Sequence, residues 1–96
     1  MEDSSVVRVM PNSLEAEQSV IGSVLIDPQA IMEIIGMLSG QDFYHKLYGA
    51  IFDTMVSMSN EGQKIDIVTV FENLKKNTAL ADSISTDDLR NLAMGV

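Results

Sequence analysis

Ile65-Asp66-Ile67-Val68-Thr69-Val70-Phe71-Glu72-Asn73-Leu74-Lys75-Lys76 is the stretch on which the fold turns. Ile65, Ile67, Val68, Val70 and Phe71 all favour strands, and read that way the run would bring a sheet edge into the chain. The spacing decides otherwise. Ile67, Val70, Phe71 and Leu74 fall at i, i+3, i+4 and i+7, one face of a helix. Asp66 stands at the N-cap position, and Lys75 and Lys76 sit where cations suit the negative end of the helix dipole. A single strand would also find no partner elsewhere in the sequence. The pattern predicts a helix over 67–76, and with it an all-α protein.

Working outward, Asn60-Glu61-Gly62 has turn chemistry. Before it, Leu47, Tyr48, Ile51, Phe52, Met55 and Met58 mark a longer apolar stripe, predicting a helix over 44–59 behind an Asp42-Phe43-Tyr44 corner in which Asp42 is able to cap. Asp27-Pro28 reads as an N-cap followed by the residue best tolerated at the first helical position. Ile31, Ile34, Ile35 and Leu38 then repeat at helical spacing until Ser39-Gly40, where glycine supplies a left-handed stop. Asn12 is a candidate N-cap with Glu15 three residues on. Leu14, Val20, Ile21, Val24 and Leu25 follow on one wide face, predicting a helix over 13–26. Gly22 inside it suits a place where another backbone passes close by. Downstream, Ser85-Thr86-Asp87-Asp88 is a hydroxyl cap with acids in the first turn, leading into a short helix bearing Leu89, Leu92 and Ala93. Residues 1–11 have no usable period and end at Pro11, so they read as a tail. Residues 12–96 form one helical domain, a compact bundle of about five short helices. Its expected core is Leu14, Ile21, Leu25, Ile31, Ile35, Leu38, Phe43, Ile51, Phe52, Met55, Val70, Phe71 and Leu74.

Composition bounds the function. Ninety-six residues, 46% of them hydrophobic and 21% charged, hold a single core. Six Lys and Arg face fourteen Asp and Glu, a formal charge of −8 with no basic stripe, which disfavours strong direct binding to nucleic acid. With no Cys, disulfides and thiol chemistry are excluded. The longest apolar run is interrupted by Gly36, Ser39 and Gly40, well short of the roughly 20 residues a membrane span requires. The default expectation is a cytoplasmic protein with no membrane partner.

The residues offer little for catalysis. The one His, His45, stands beside Lys46 without a nucleophile in view and reads as a surface or capping residue. Asp27 with Asp42, and Asp87 with Asp88, are acid pairs at helix starts, where capping accounts for them better than a metal does. The 60–66 segment lacks the alternating oxygen ligands and closing Glu of a calcium loop, and no G-x-x-x-x-G-K-[ST] phosphate loop is present. Of the seven Met, Met32, Met55 and Met58 fall on or near core stripes, so core filling explains them better than a pliable contact surface. No catalytic, cofactor-binding or metal residue is expected. The residues describe a non-catalytic helical interaction module. Its expected partner-binding surface is the exposed part of the last helix, Leu89, Leu92 and Met94, which lies close to Val96 and is placed to meet a following segment or a neighbour. Burial in the core is the competing account of those three.

Three blocks in order carry a resemblance. Pro11-Asn12-Ser13-Leu14-Glu15-Ala16-Glu17, with Gly22 and Leu25-Ile26-Asp27-Pro28, comes first; Asp42-Phe43-Tyr44 with Ile51-Phe52 second; Gly62-Gln63-Lys64-Ile65-Asp66-Ile67-Val68-Thr69-Val70 third. Over about 11–74 the chain resembles the N-terminal domain of bacterial and phage replicative DNA helicases of the DnaB family. The resemblance implies a globular head that a helical hairpin, a linker and a RecA-like motor follow, with ATP and magnesium bound in that motor. It implies a collar on a hexameric ring, self-paired as a trimer of dimers, that meets primase and often a helicase loader and separates no strands itself. Two departures bear on partner choice. Tyr48 stands where the family usually has its His, and Ile84-Ser85 and Asp88-Leu89 replace a Gly-Gly pair and a Tyr-Leu. The alternative from another class is a stand-alone acidic adaptor that mimics such a head and binds replisome proteins.

Overall fold

The computed structural model describes residues 13–77 and 79–95. The tail over 1–11 and the Asn12 cap lie outside them. Helix α1, Leu14–Ile26, is capped from Ser13, whose Oγ accepts the Ala16 N–H at 3.1 Å. Gly22 is buried within it. The predicted helix after Pro28 is shorter than its spacing suggested: a 3-10 turn, Pro28–Ala30, leads into a single turn of α-helix, α2, Ile31–Ile34. Asp27 makes no side-chain cap bond there. The backbone still winds on, with the Leu38 N–H reaching the Ile34 carbonyl at 3.0 Å, so Ile31 and Leu38 anchor the segment while Met32 and Met37 face outward. That periodicity survives without a long helix because a 3-10 start and a loose turn keep the same residues inward.

Gly40 does not stop the segment in a left-handed conformation; Gly62, φ 74°, is the described residue in that region. Gly40 instead opens a 3-10 turn, Gly40–Asp42, closed by the Asp42 carboxylate accepting the Ser39 N–H at 2.8 Å. Its glycine is required by proximity. A Cβ at Gly40 would lie 2.6 Å from the Gly49 carbonyl oxygen and run into the Asp53 carboxyl, and a Cβ at Gly49 would in turn meet the Gly40 carbonyl. Asp53 Oδ1 accepts the Gly40 N–H at 2.8 Å, fastening the turn to α3, Lys46–Asn60. With Asp42 engaged in the turn, α3 begins at Lys46 rather than 44.

The deciding stretch is helical. Helix α4, Ile67–Asn77, opens on a reciprocal cap in which Asp66 Oδ1 accepts the Thr69 N–H and Thr69 Oγ1 accepts the Asp66 N–H, both at 2.9 Å. A 3-10 turn with no counterpart in the sequence reading, Ala79–Ser83, connects it to α5, Thr86–Met94. There Ser85 and Asp88 cap reciprocally at 3.2 and 2.9 Å. Helix α1 lies along α5, and α3 packs between the Gly40–Asp42 turn and α4.

One core unites these elements. Ile21, Ile31, Ile51, Phe52, Met55, Val70 and Leu74 are fully or almost fully buried, as expected, and the Phe43 and Phe52 rings sit 5.3 Å apart. Leu25, Ile35 and Phe71 are only half-buried against it. Leu14 is 46% exposed, because the stripe Glu17, Ile21, Val24 reaches the rim of the fold at the first residue of α1. Met32, read as core filling, is 69% exposed. Val24, Met58, Ile65 and Ile84 are core residues that the sequence reading left out of its core set.

Candidate interaction site

The central polar feature is inside the protein. Glu17 lies on the inward face of α1, fully buried, and its carboxyl meets three groups at the start of α3, two backbone N–H donors and the His45 ring. Tyr44 N–H reaches Oε2 at 2.6 Å, while His45 N–H and His45 Nδ1 reach Oε1 at 3.2 and 2.9 Å. The His45 amide is one of those that an isolated helix start leaves without a partner and the Tyr44 amide lies just before it, and a side chain from a different helix satisfies both. A buried carboxyl left unsatisfied would be strongly unfavourable, so the two elements hold one another in register. His45 occupies the N-cap position without capping through its side chain, which is 38% exposed; its ring lies 5.2 Å from that of Tyr44 and 5.7 Å from that of Tyr48. The sequence reading named His45 and missed Glu17. The signal was present, since Glu17 occupies an apolar-stripe position four residues before Ile21.

Outside this tie, α1, the start of α3 and α5 border a groove of about 690 Å³. Glu15, Gln18 and Ser19 line it from α1, Leu47 and Tyr48 from α3, and Asp88, Asn91 and Leu92 from α5, with Ile84 between. Gln18 Nε2 donates to the Tyr48 hydroxyl at 2.9 Å across one wall. The charged lining is acidic, Glu15 and Asp88, and Asp88 is also the Ser85 cap. Tyr48 is thus a wall residue here.

The three expected contact residues do not form one ridge. Leu89 is completely buried, a core residue held in place by the packing of α5 on α1 and α4; Leu92 is half-buried on the groove wall; Met94 is 73% exposed. Of the acid pairs, Asp42 and Asp88 accept backbone N–H groups at helix starts and Asp87 pairs with Arg90. Among the described residues no group of three or more His, Asp or Glu is placed to hold a metal ion, and no helix is long and apolar enough to cross a membrane.

Fold and site together define a small all-α domain whose last two helices open on reciprocal caps and whose first and third helices are tied through a buried carboxyl. The chain belongs to the DnaB-like helicase N-terminal domain family, whose model matches residues 9–96. It is 35% identical over 89 residues to the replicative DNA helicase DnaB of Geobacillus stearothermophilus, covering 93% of this chain and 20% of that protein. Over 74 residues it is 39% identical to the DnaB of Pasteurella multocida, covering 77% and 16%. The crystal structure of the N-terminal domain of DnaB helicase from Mycobacterium tuberculosis superposes with a TM-score of 0.81 at 30% identity, covering 90% of this chain and 62% of that one. The chain spans between a tenth and a fifth of the length of the curated relatives it matches.

Proposed function

We propose that this domain serves as the N-terminal head of a ring-shaped hexameric replicative DNA helicase: a non-catalytic docking and assembly piece that pairs with copies of itself and recruits primase or a helicase loader. Family membership supports the helicase context. The observation that carries the docking role is the groove bordered by α1, α3 and α5, with Leu92 on its wall and Met94 exposed on the same helix. A surface that mixes apolar contact area with a few fixed polar groups is the usual composition of a protein–protein interface. ATP and magnesium belong to the motor, since this sequence contains no phosphate loop. The net charge of −8 suits a cytoplasmic collar that does not grip DNA, and repulsion would discourage the strand from adhering to it.

The test is made in the complete helicase. Met94→Glu, and separately Met94→Glu with Leu92→Glu, should weaken hexamer assembly or primase binding at least tenfold while the circular dichroism spectrum is retained. Unchanged assembly and unchanged primase affinity in the Met94→Glu protein, whose side chain is too exposed to upset the core, would overturn the assignment of this face.

A further inference from the structure

Three aromatic rings meet at the surface where α1 reaches the start of α3. Tyr44 is 70% exposed, and the His45 ring stands at 79° to it and at 56° to the ring of Tyr48. The planes form an open, faceted surface rather than a stack. Each ring face carries partial negative charge, which makes such a surface a seat for a cation. Acid lies behind and beside it. Glu17, fully buried, meets His45 Nδ1 at 2.9 Å. A carboxylate can only accept, so the neutral imidazole opposite it carries its hydrogen on Nδ1 and keeps a lone pair on Nε2, across the ring from the buried acid. Tyr48, held by the Gln18 amide at 2.9 Å, also borders the groove whose charged residues are Glu15 and Asp88. Lys46 is the cation next to His45 in sequence, and it stands about 200° around α3 from Tyr48.

We propose that this surface binds an arginine side chain of a protein partner, its guanidinium flat against the Tyr44 ring and one N–H directed to His45 Nε2. The charge match supports a cation, since Glu17 backs the His45 ring and the adjoining groove is lined by two carboxylates and no Lys or Arg. Arginine rather than lysine fits, because a guanidinium is planar, stacks on aromatic faces and donates from its edge, whereas an ammonium is a compact point charge. The buried tie gives the site its rigidity: Glu17 fixes the His45 ring and the Tyr44 backbone together, so the acceptor and the stacking face are set before a partner arrives. The proposal names a chemical group on the partner and rests, for that partner's identity, on the docking role proposed above.

The test is a titration of the ¹⁵N-labelled 96-residue chain with the capped pentapeptide Ala-Ala-Arg-Ala-Ala, followed by amide and ring signals. Shifts should centre on Tyr44, His45 and Tyr48, with an affinity roughly fivefold above that of the same peptide carrying citrulline, which keeps the shape of arginine and lacks its charge. Tyr44→Ala, at a side chain too exposed to upset the core, should abolish that preference, and Tyr44→Phe, which retains the ring face, should preserve it. Equal affinity for the arginine and citrulline peptides, an arginine preference that survives Tyr44→Ala, or a lysine peptide bound as tightly overturns the proposal. Failure of the docking role reads differently: the arginine preference would stand while Met94→Glu proved silent in the complete helicase, and the site would then serve a different partner.

Discussion

Tyr44 donates its backbone N–H to the buried Glu17 carboxyl at 2.6 Å, joining residues 27 positions apart. The bond fixes where α3 starts relative to α1, and hence the angle between two walls of the groove. Removing the carboxyl leaves the Tyr44 and His45 amides without their acceptor and the His45 ring without its partner. Glu17→Ala should therefore reduce stability by about 3 kcal/mol, at the upper end of the cost of orphaning buried donors. Glu17→Gln, which retains one acceptor oxygen, should cost less. Urea unfolding of both variants measures this, and equal losses would show that the tie needs both carboxyl oxygens rather than one acceptor and the side chain's shape.

The glycines differ sharply in what they tolerate. Gly40→Ala places a methyl against the Gly49 carbonyl and the Asp53 carboxyl, so it should lower stability by about 2 kcal/mol, the usual scale of forced overpacking. At Gly36 a methyl would meet nothing within 4 Å, and its φ is not positive. Gly36→Ala should be neutral or stabilising by up to about 1 kcal/mol through a less flexible unfolded chain. Thermal melts of the pair check the contrast.

Asp66 ties stability to pH. The Thr69 backbone N–H, aided by the Thr69 hydroxyl and Lys64, holds the Asp66 carboxyl below its ordinary 3.8 despite an opposing effect of burial. A carboxyl lowered in the folded state binds its proton more readily when unfolded, so its contribution is complete above the unfolded value and is lost as pH falls through the folded one. Between about pH 7 and 5 this group should leave stability unchanged, and below about 4 its contribution should decline. Asp66→Asn, which keeps a capping oxygen, should show a shallower fall on the acid side when urea midpoints are followed from about pH 7 to about pH 2.5.

What could be read from sequence was what is local. Ile67, Val70, Phe71 and Leu74 reveal α4 because their spacing and the Asp66 cap lie within a dozen residues of one another, and the same holds for Ser85 and Asp88 at the start of α5. Pairings between distant segments were not legible. Glu17 looks like a solvated acid until Tyr44 and His45 are brought to it, and Leu89 looks like an edge residue until α5 is laid against α1 and α4. Gly40 offers a stop signal locally, whereas its reason for being glycine is the backbone of Gly49. The groove was indicated in part, through Leu92, but its walls combine segments as far apart as Glu15 and Gly95.

The contact of Gly40 with Gly49 has a mechanical consequence. Two main chains meet there beside the Asp53 carboxyl, like a tenon in its mortise, and a slip of one position would thrust Gln41 or Ala50 into the joint. That joint, with the Gly40 N–H held by Asp53, leaves the Gly40–Asp42 turn one register against Lys46–Asn60.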